Sequence, residues 1–160
     1  MYIDSHAHLY APEYSDDFDL VLERARAAGI EAIVVPGTTI ETSRMAVELA
    51  ERHEEIYACV GYHPHDAHTA TPEAMAEVAA LADHPKVVAI GEIGCDYHYD
   101  FCPRDTQMKV FRAQLELAVD KDLPVVVHTR KSIPEAMALV EETVARHPMW
   151  RTSHANAHSH

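Results

Sequence analysis

Five short runs rich in Val and Ile recur along the chain, each followed by a segment with helical signals, and this alternation constrains the fold more than any other feature. The runs are Met1–Ile3, Ala32–Val35, Ile56–Val60, Val87–Ile90 and Val125–Val127. Each is nearly continuous in hydrophobicity, which predicts strands buried on both faces of a parallel sheet. The helical segments have readable ends. Asp16–Ala28 follows Ser15 and stops at Gly29, a residue suited to the left-handed conformation that ends helices. Thr42–Arg52 follows Thr38-x-x-Glu41, which fits a reciprocal capping box. Thr71-Pro72 opens a helix to about Ala82, with a capping hydroxyl followed by proline in the first turn. A long helix spans about Arg104 to Lys121. Ser132-x-x-Glu135, with Pro134 in the first turn, opens one more that ends near His147. Two architectures are compatible with this order, an open doubly wound sheet or part of a (β/α)8 barrel. No Gly-rich phosphate loop follows the first strand, which counts against a dinucleotide-binding sheet. A complete barrel needs roughly 250 residues, so a chain of 160 has room for part of one.

The apolar pattern stops after His147. Residues 148–160 are rich in Ser, Ala, Asn and His and predict an irregular tail, so the expected organisation is one incomplete barrel over 1–147 and a tail over 148–160. Lys and Arg number 13 against 26 Asp and Glu, a net charge of −13. That argues against broad binding to phosphate backbones. It leaves room for a phosphate substrate if bound divalent cations supply the positive charge. Cys59, Cys95 and Cys102 show no C-x-x-C spacing, so neither a disulfide framework nor a zinc ribbon is expected. No apolar run could span a bilayer and no basic-then-apolar leader opens the chain, which makes a cytoplasmic protein without membrane partners the default.

The polar residues gather where the strands end. His6-x-His8 follows the first run. Residues two apart in extended chain share a face, so two imidazoles at this spacing can converge on one ion. Gly61-Tyr-His-Pro-His65 follows the third run, and the fourth continues into Gly91-Glu-Ile-Gly-Cys-Asp-Tyr97. The fifth lies within Pro124-Val-Val-Val-His-Thr-Arg130. Taken singly, Glu92 and His128 read as solvated strand-end residues. In a parallel barrel, however, all carboxyl ends of strands open on one side. His6, His8, Glu92 and His128 would then ring one cavity, a donor set suited to zinc, manganese or a similar divalent ion. His63 and His65 flank a proline and read as substrate contacts or loop structure rather than metal ligands. Arg104, at a helix start, could reach an anionic substrate.

These motifs, together with Gln107, Phe111 and Gln114 on the long helix, resemble the TatD family of metal-dependent hydrolases over roughly residues 1–147. The resemblance implies a (β/α)8 barrel holding two divalent metal ions (Mg, Mn or Zn). It implies His6 and His8 on one ion, Glu92 bridging both as the catalytic carboxylate, and His128 on the second. It implies His63, His65 and Arg130 at the substrate phosphate, and hydrolysis of phosphodiesters in DNA with 3′→5′ exonuclease action. The family's metal-binding histidine after strand 6 would correspond to His154, although Trp150-Arg-Thr-Ser153 lacks the apolar run that should present it. The family's aspartate at the end of strand 8 has no counterpart. The expected explanation is a C-terminal truncation or frameshift of a longer reading frame. Two functions stay open: a metal-dependent nuclease, or a catalytically impaired partial barrel that binds metal without turnover.

Overall fold

In the computed structural model, which describes residues 2–150, β1 (Tyr2–Asp4), β2 (Ile30–Pro36), β3 (Ile56–Val60), β4 (Val87–Asp96) and β5 (Val125–Arg130) form one sheet. The strand order is β1-β2-β3-β4-β5, and every neighbouring pair is parallel. This order decides between the two architectures. A doubly wound sheet reverses its order at a switch point, whereas a (β/α)8 barrel adds each strand beside the last. The chain therefore builds five units of the barrel type, a curled half-barrel. Its helices are α1 (Phe18–Ala27), α2 (Ile40–Arg52), α3 (Pro72–Leu81), α4 (Arg104–Asp120) and α5 (Ile133–Arg146).

Local signals account for most helix ends. Gly29 follows α1 at φ +83°, a conformation costly for residues bearing a Cβ, and its amide bonds back to the Arg26 carbonyl at 2.9 Å. Thr71 Oγ1 accepts the Ala74 amide at 3.2 Å at the start of α3. The capping box of α2 lies one residue later than Thr38-Glu41. Thr39 Oγ1 accepts the Thr42 amide at 3.3 Å, and Thr42 Oγ1 accepts the Thr39 amide at 2.8 Å. Ser132 stands at the N-cap of α5 but does not cap it. Its hydroxyl accepts the Arg130 amide at 3.2 Å and donates to the Cys95 carbonyl, tying β5 to β4 instead.

The core lies between the sheet and its helices, with Val35, Ile56, Val60, Ile90, Ile93, Phe111 and Leu115 fully buried. Burial on both faces holds best for β3 and β4. It fails at β1, where Tyr2 and Ile3 are 69% and 64% exposed, and at β5, where Val127 is 37% exposed. Among the described residues these two strands are the edges of a five-stranded sheet, and each pairs on one side only. Residues 148–150 are helical rather than irregular, and Trp150 is buried with its indole N–H donating to the Leu123 carbonyl at 2.9 Å. The three thiols are free and buried. Among the described residues no helix is long and apolar enough to cross a membrane.

Candidate metal centre

The carboxyl ends of the strands bring five of the predicted site residues together. His6 and His8 lie just beyond β1, with their Nε2 atoms 3.2 Å apart. Glu92 projects from within β4, which slips in register against β5 between Ile90 and Ile93. Such an irregularity re-aims side chains locally. The two Glu92 oxygens face different partners. Oε2 lies 3.2 Å from His6 Nε2 and 3.6 Å from His8 Nε2. Oε1 lies 3.1 Å from His128 Nδ1 and 3.9 Å from His63 Nε2. Each oxygen thus belongs to a separate group of candidate ligands, His6–His8–Glu92 and His63–Glu92–His128.

The first group fits an ion. A tetrahedral centre with bonds of about 2.0–2.1 Å spaces its donors about 3.3 Å apart, and the three separations here are 3.2, 3.2 and 3.6 Å. The surroundings prepare His8 for it. The Tyr10 hydroxyl donates to the Pro36 carbonyl at 3.0 Å and lies 2.8 Å from His8 Nδ1. With the tyrosine proton committed to that carbonyl, the contact between the two side chains suits a proton on Nδ1, the tautomer in which Nε2 is free to hold an ion.

His63 behaves differently. Its Nδ1 accepts the His65 amide at 3.2 Å. Burial pushes its pKa down to about 4 despite the nearby Glu92, so the ring is neutral and carries its proton on Nε2. In that form Nε2 faces the cluster as a hydrogen-bond donor. Glu92 and His128 are the other two candidates of the second group. Burial acts to raise the Glu92 carboxyl, but His128, His6 and His8 outweigh it and hold it well below the usual carboxylate range. The same carboxylate raises His6 and His128 above the ordinary imidazole value, against their burial.

Asp96 is the principal residue that sequence reasoning missed. It is 1% exposed. Its Oδ2 lies 2.8 Å from His65 Nε2 and 3.2 Å from His128 Nε2, and its Oδ1 accepts the amides of His98 and Tyr99 at 2.8 and 3.3 Å. Burial opposes its ionisation, but these donors hold its pKa at about 2. A signal existed, since Asp96 lies four residues beyond Glu92 in the same run and even spacing in a strand shares a face. Tyr10, two residues beyond His8, was also missed. Arg130 lies with its guanidinium 4.9 Å from the Tyr99 ring centre, beside the ligand groups rather than within them. The Arg104 guanidinium lies over the Tyr97 ring at 4.5 Å. His154 lies outside the described residues.

The helix α4 explains Gln107, Phe111 and Gln114. The two amides are buried, with Phe111 between them in the core. Gln107 Oε1 accepts the Asp96 amide at 2.8 Å, and its Nε2 donates to the Asp96 and Cys102 carbonyls at 3.0 and 2.8 Å. Gln114 treats the backbone of Tyr62 in the same two-way manner. One helix face thereby holds the two backbone segments that carry Asp96 and His63.

Residues 3–158 match the family described as TatD related DNase. The chain belongs to the TatD family. It is 44% identical to the uncharacterized metal-dependent hydrolase YabD of Bacillus subtilis over 142 residues, covering 89% of this chain and 56% of that protein. It is 38% identical to the 3′–5′ ssDNA/RNA exonuclease TatD of Enterobacter lignolyticus over 137 residues, covering 86% of this chain and 53% of that one. The crystal structure of YjjV, a TatD homologue from Escherichia coli K12, superposes with a TM-score of 0.84 at 32% identity, covering 89% of this chain and 56% of that structure. The chain thus spans about half the length of the curated relatives it matches, 56% and 53% of the two named here.

Proposed function

We propose that this TatD-family chain is a divalent-metal-dependent phosphodiesterase that removes nucleotides from the 3′ end of single-stranded DNA or RNA. The observation that carries the reading is the division of Glu92 between two ligand groups, one oxygen toward His6 and His8 and the other toward His128. A carboxylate placed so can bridge two ions. The ions held there (Mg, Mn or Zn) would polarise the phosphoryl oxygens and offset the charge that develops during displacement. His6, His8, Glu92 and His128 are the proposed ligands, with Glu92 as the catalytic carboxylate. His63 donates from Nε2 to a phosphate oxygen. Asp96 orients His65 toward the same phosphate, and Arg130 offers a planar pair of N–H donors to it. The 3′ polarity and the single-stranded substrate are carried over from the printed activity of relatives such as the Enterobacter lignolyticus exonuclease.

The test is hydrolysis of a single-stranded oligonucleotide by the purified full chain with Mn²⁺. The expected result is sequential loss of nucleotides from the 3′ end, abolished in the His6→Ala/His8→Ala double variant. One observation favours a second reading, a metal-binding partial barrel without turnover. The edge strands β1 and β5 expose Tyr2, Ile3 and Val127. Stoichiometric Mn²⁺ binding in a titration calorimeter with no hydrolysis of DNA, RNA or a small phosphodiester would establish that reading in place of the first.

A further inference from the structure

Beside the ligand groups, the segment between β4 and α4 carries two aromatic rings that the proposed chemistry does not use. Tyr99 and Phe101 stack with centroids 5.1 Å apart and planes inclined by 25°. Phe101 is 62% exposed and Tyr99 39%, so the stack stands at the surface and not in the core. Leaving a ring in water forgoes about 1.5–3 kcal/mol of burial, which makes an ordered exposed pair informative.

The stack is joined to the site. Phe101 and Tyr99 both meet the His65 imidazole edge-on, at centroid distances of 4.8 and 5.5 Å. His65 in turn pairs with Asp96, which also holds His128 and accepts the Tyr99 amide. The carboxylate that orients the histidines therefore anchors the root of the aromatic pair. The Arg130 guanidinium lies over the Tyr99 ring, bringing one positive charge to the stack.

We infer that Tyr99 and Phe101 form a stacking platform for an unpaired nucleobase, with Arg130 set to meet the adjoining phosphate. The inference rests on the phosphodiesterase reading and names what sets its substrate class. Bases of every kind present a π-face, and aromatic rings hold single strands by stacking without sequence preference. Bases in a duplex have those faces covered by their neighbours, so a platform of this kind selects unpaired ends. The charge balance points the same way. A net charge of −13 gives the chain no general attraction for a polyanion. Affinity for a nucleic acid must then come from local cations and from contacts that are not electrostatic, and exposed rings are such contacts.

The experiment uses the full chain and two phosphorothioate single-stranded oligomers, one carrying 2-aminopurine at its 3′ end and one built of abasic sites. Binding is read by anisotropy and stacking by quenching of 2-aminopurine fluorescence. Tyr99→Ala and Phe101→Ala are each expected to weaken the base-bearing oligomer by about tenfold, as loss of one stacking contact would. They should also remove the quenching and leave the abasic oligomer unaffected. Phe101→Tyr, which keeps the ring, should retain both signals. Wild-type binding that is equal for the two oligomers, absent for both, or unchanged in the alanine variants overturns the platform. Hydrolysis of oligonucleotides alongside any of those results leaves the phosphodiesterase reading in place. Ring-dependent binding without hydrolysis of any phosphodiester supports the platform and overturns the reading of function.

Discussion

Gln114 closes a two-way hydrogen-bonded pair with the backbone of Tyr62: its Oε1 accepts the Tyr62 amide at 2.6 Å and its Nε2 donates to the Tyr62 carbonyl at 3.1 Å. Both residues are buried, and they stand 52 positions apart. The pair holds the start of the Gly61–His65 loop against α4. Replacement by an apolar side chain of similar size removes both partners and leaves two backbone groups without water. Gln114→Leu should destabilise the chain by about 2–6 kcal/mol, at roughly 1–3 kcal/mol per orphaned group. Urea unfolding followed by circular dichroism measures the difference, and a change within error would refute this account of the residue.

Asp96 orders His65 and His128 without belonging to either ligand group. Partners of this kind fix the ring orientation of metal ligands, and their loss typically costs 10–100-fold in affinity. Asp96→Asn keeps the volume and removes the charge. Titration with Mn²⁺ should show affinity lowered by about one to two orders of magnitude, with the far-ultraviolet spectrum preserved. Wild-type affinity in the variant would mean that His128 is positioned by packing alone.

Gly94 adopts φ +138°, and a Cβ built there would lie 2.1 Å from the His128 carbonyl oxygen. Backbone conformations of this type cost non-glycine residues about 1–3 kcal/mol before any clash is counted. Gly94→Ala should therefore push β5 away from β4 at the point where His128 enters the site. The expected outcome is a lower unfolding midpoint together with weakened Mn²⁺ binding. Ala substitution at an exposed position such as Asp100 serves as the control that moves neither.

Burial pushes the Cys59 thiol up to about 12 and the Cys95 thiol up to about 11, and it raises Cys102 as well. Thiolate is the reactive form, and an unfolded cysteine ionises near 8.5. The folded chain should resist alkylation by iodoacetamide at pH 8, while all three cysteines label in denaturant, as mass spectrometry can count. The linkage has a definite sign. Above about pH 8.5 the unfolded state releases protons that the folded state retains, so stability falls as pH rises toward the folded values. Urea midpoints measured between pH 8 and 11 should decline, and Cys59→Ala should flatten the decline if the chain stays folded.

Local periodicity carried much of the fold. Each of the five strands and five helices overlaps its predicted run, helped by end residues such as Gly29 and Thr71 that act within a few residues of themselves, but β4 continues past Ile90 to Asp96 and so takes in Glu92. Prediction slipped where one side chain had competing partners. Thr38 and Thr39 both precede α2, and the approach of the chain selects Thr39. Ser132 has the sequence of a cap, but the Cys95 carbonyl, 37 residues away, takes its hydroxyl. The same limit hid Asp96, whose partners His65 and His128 are 31 and 32 residues distant.

By itself the sequence determined a βα repeat, and it placed His6, His8, His63 and His65 just beyond strands and Glu92 and His128 in the later parts of two others, since periodicity and spacing are properties of neighbouring residues. Tertiary structure alone decided the strand order that makes the sheet barrel-like, the division of Glu92 between two candidate ligand groups, and the burial of His63 beside them. It also decided which apolar residues stay exposed, both at the edge strands and at the Tyr99–Phe101 stack. Each of these depends on distances between segments tens of residues apart, set by how helices pack and strands register, and no local pattern encodes them.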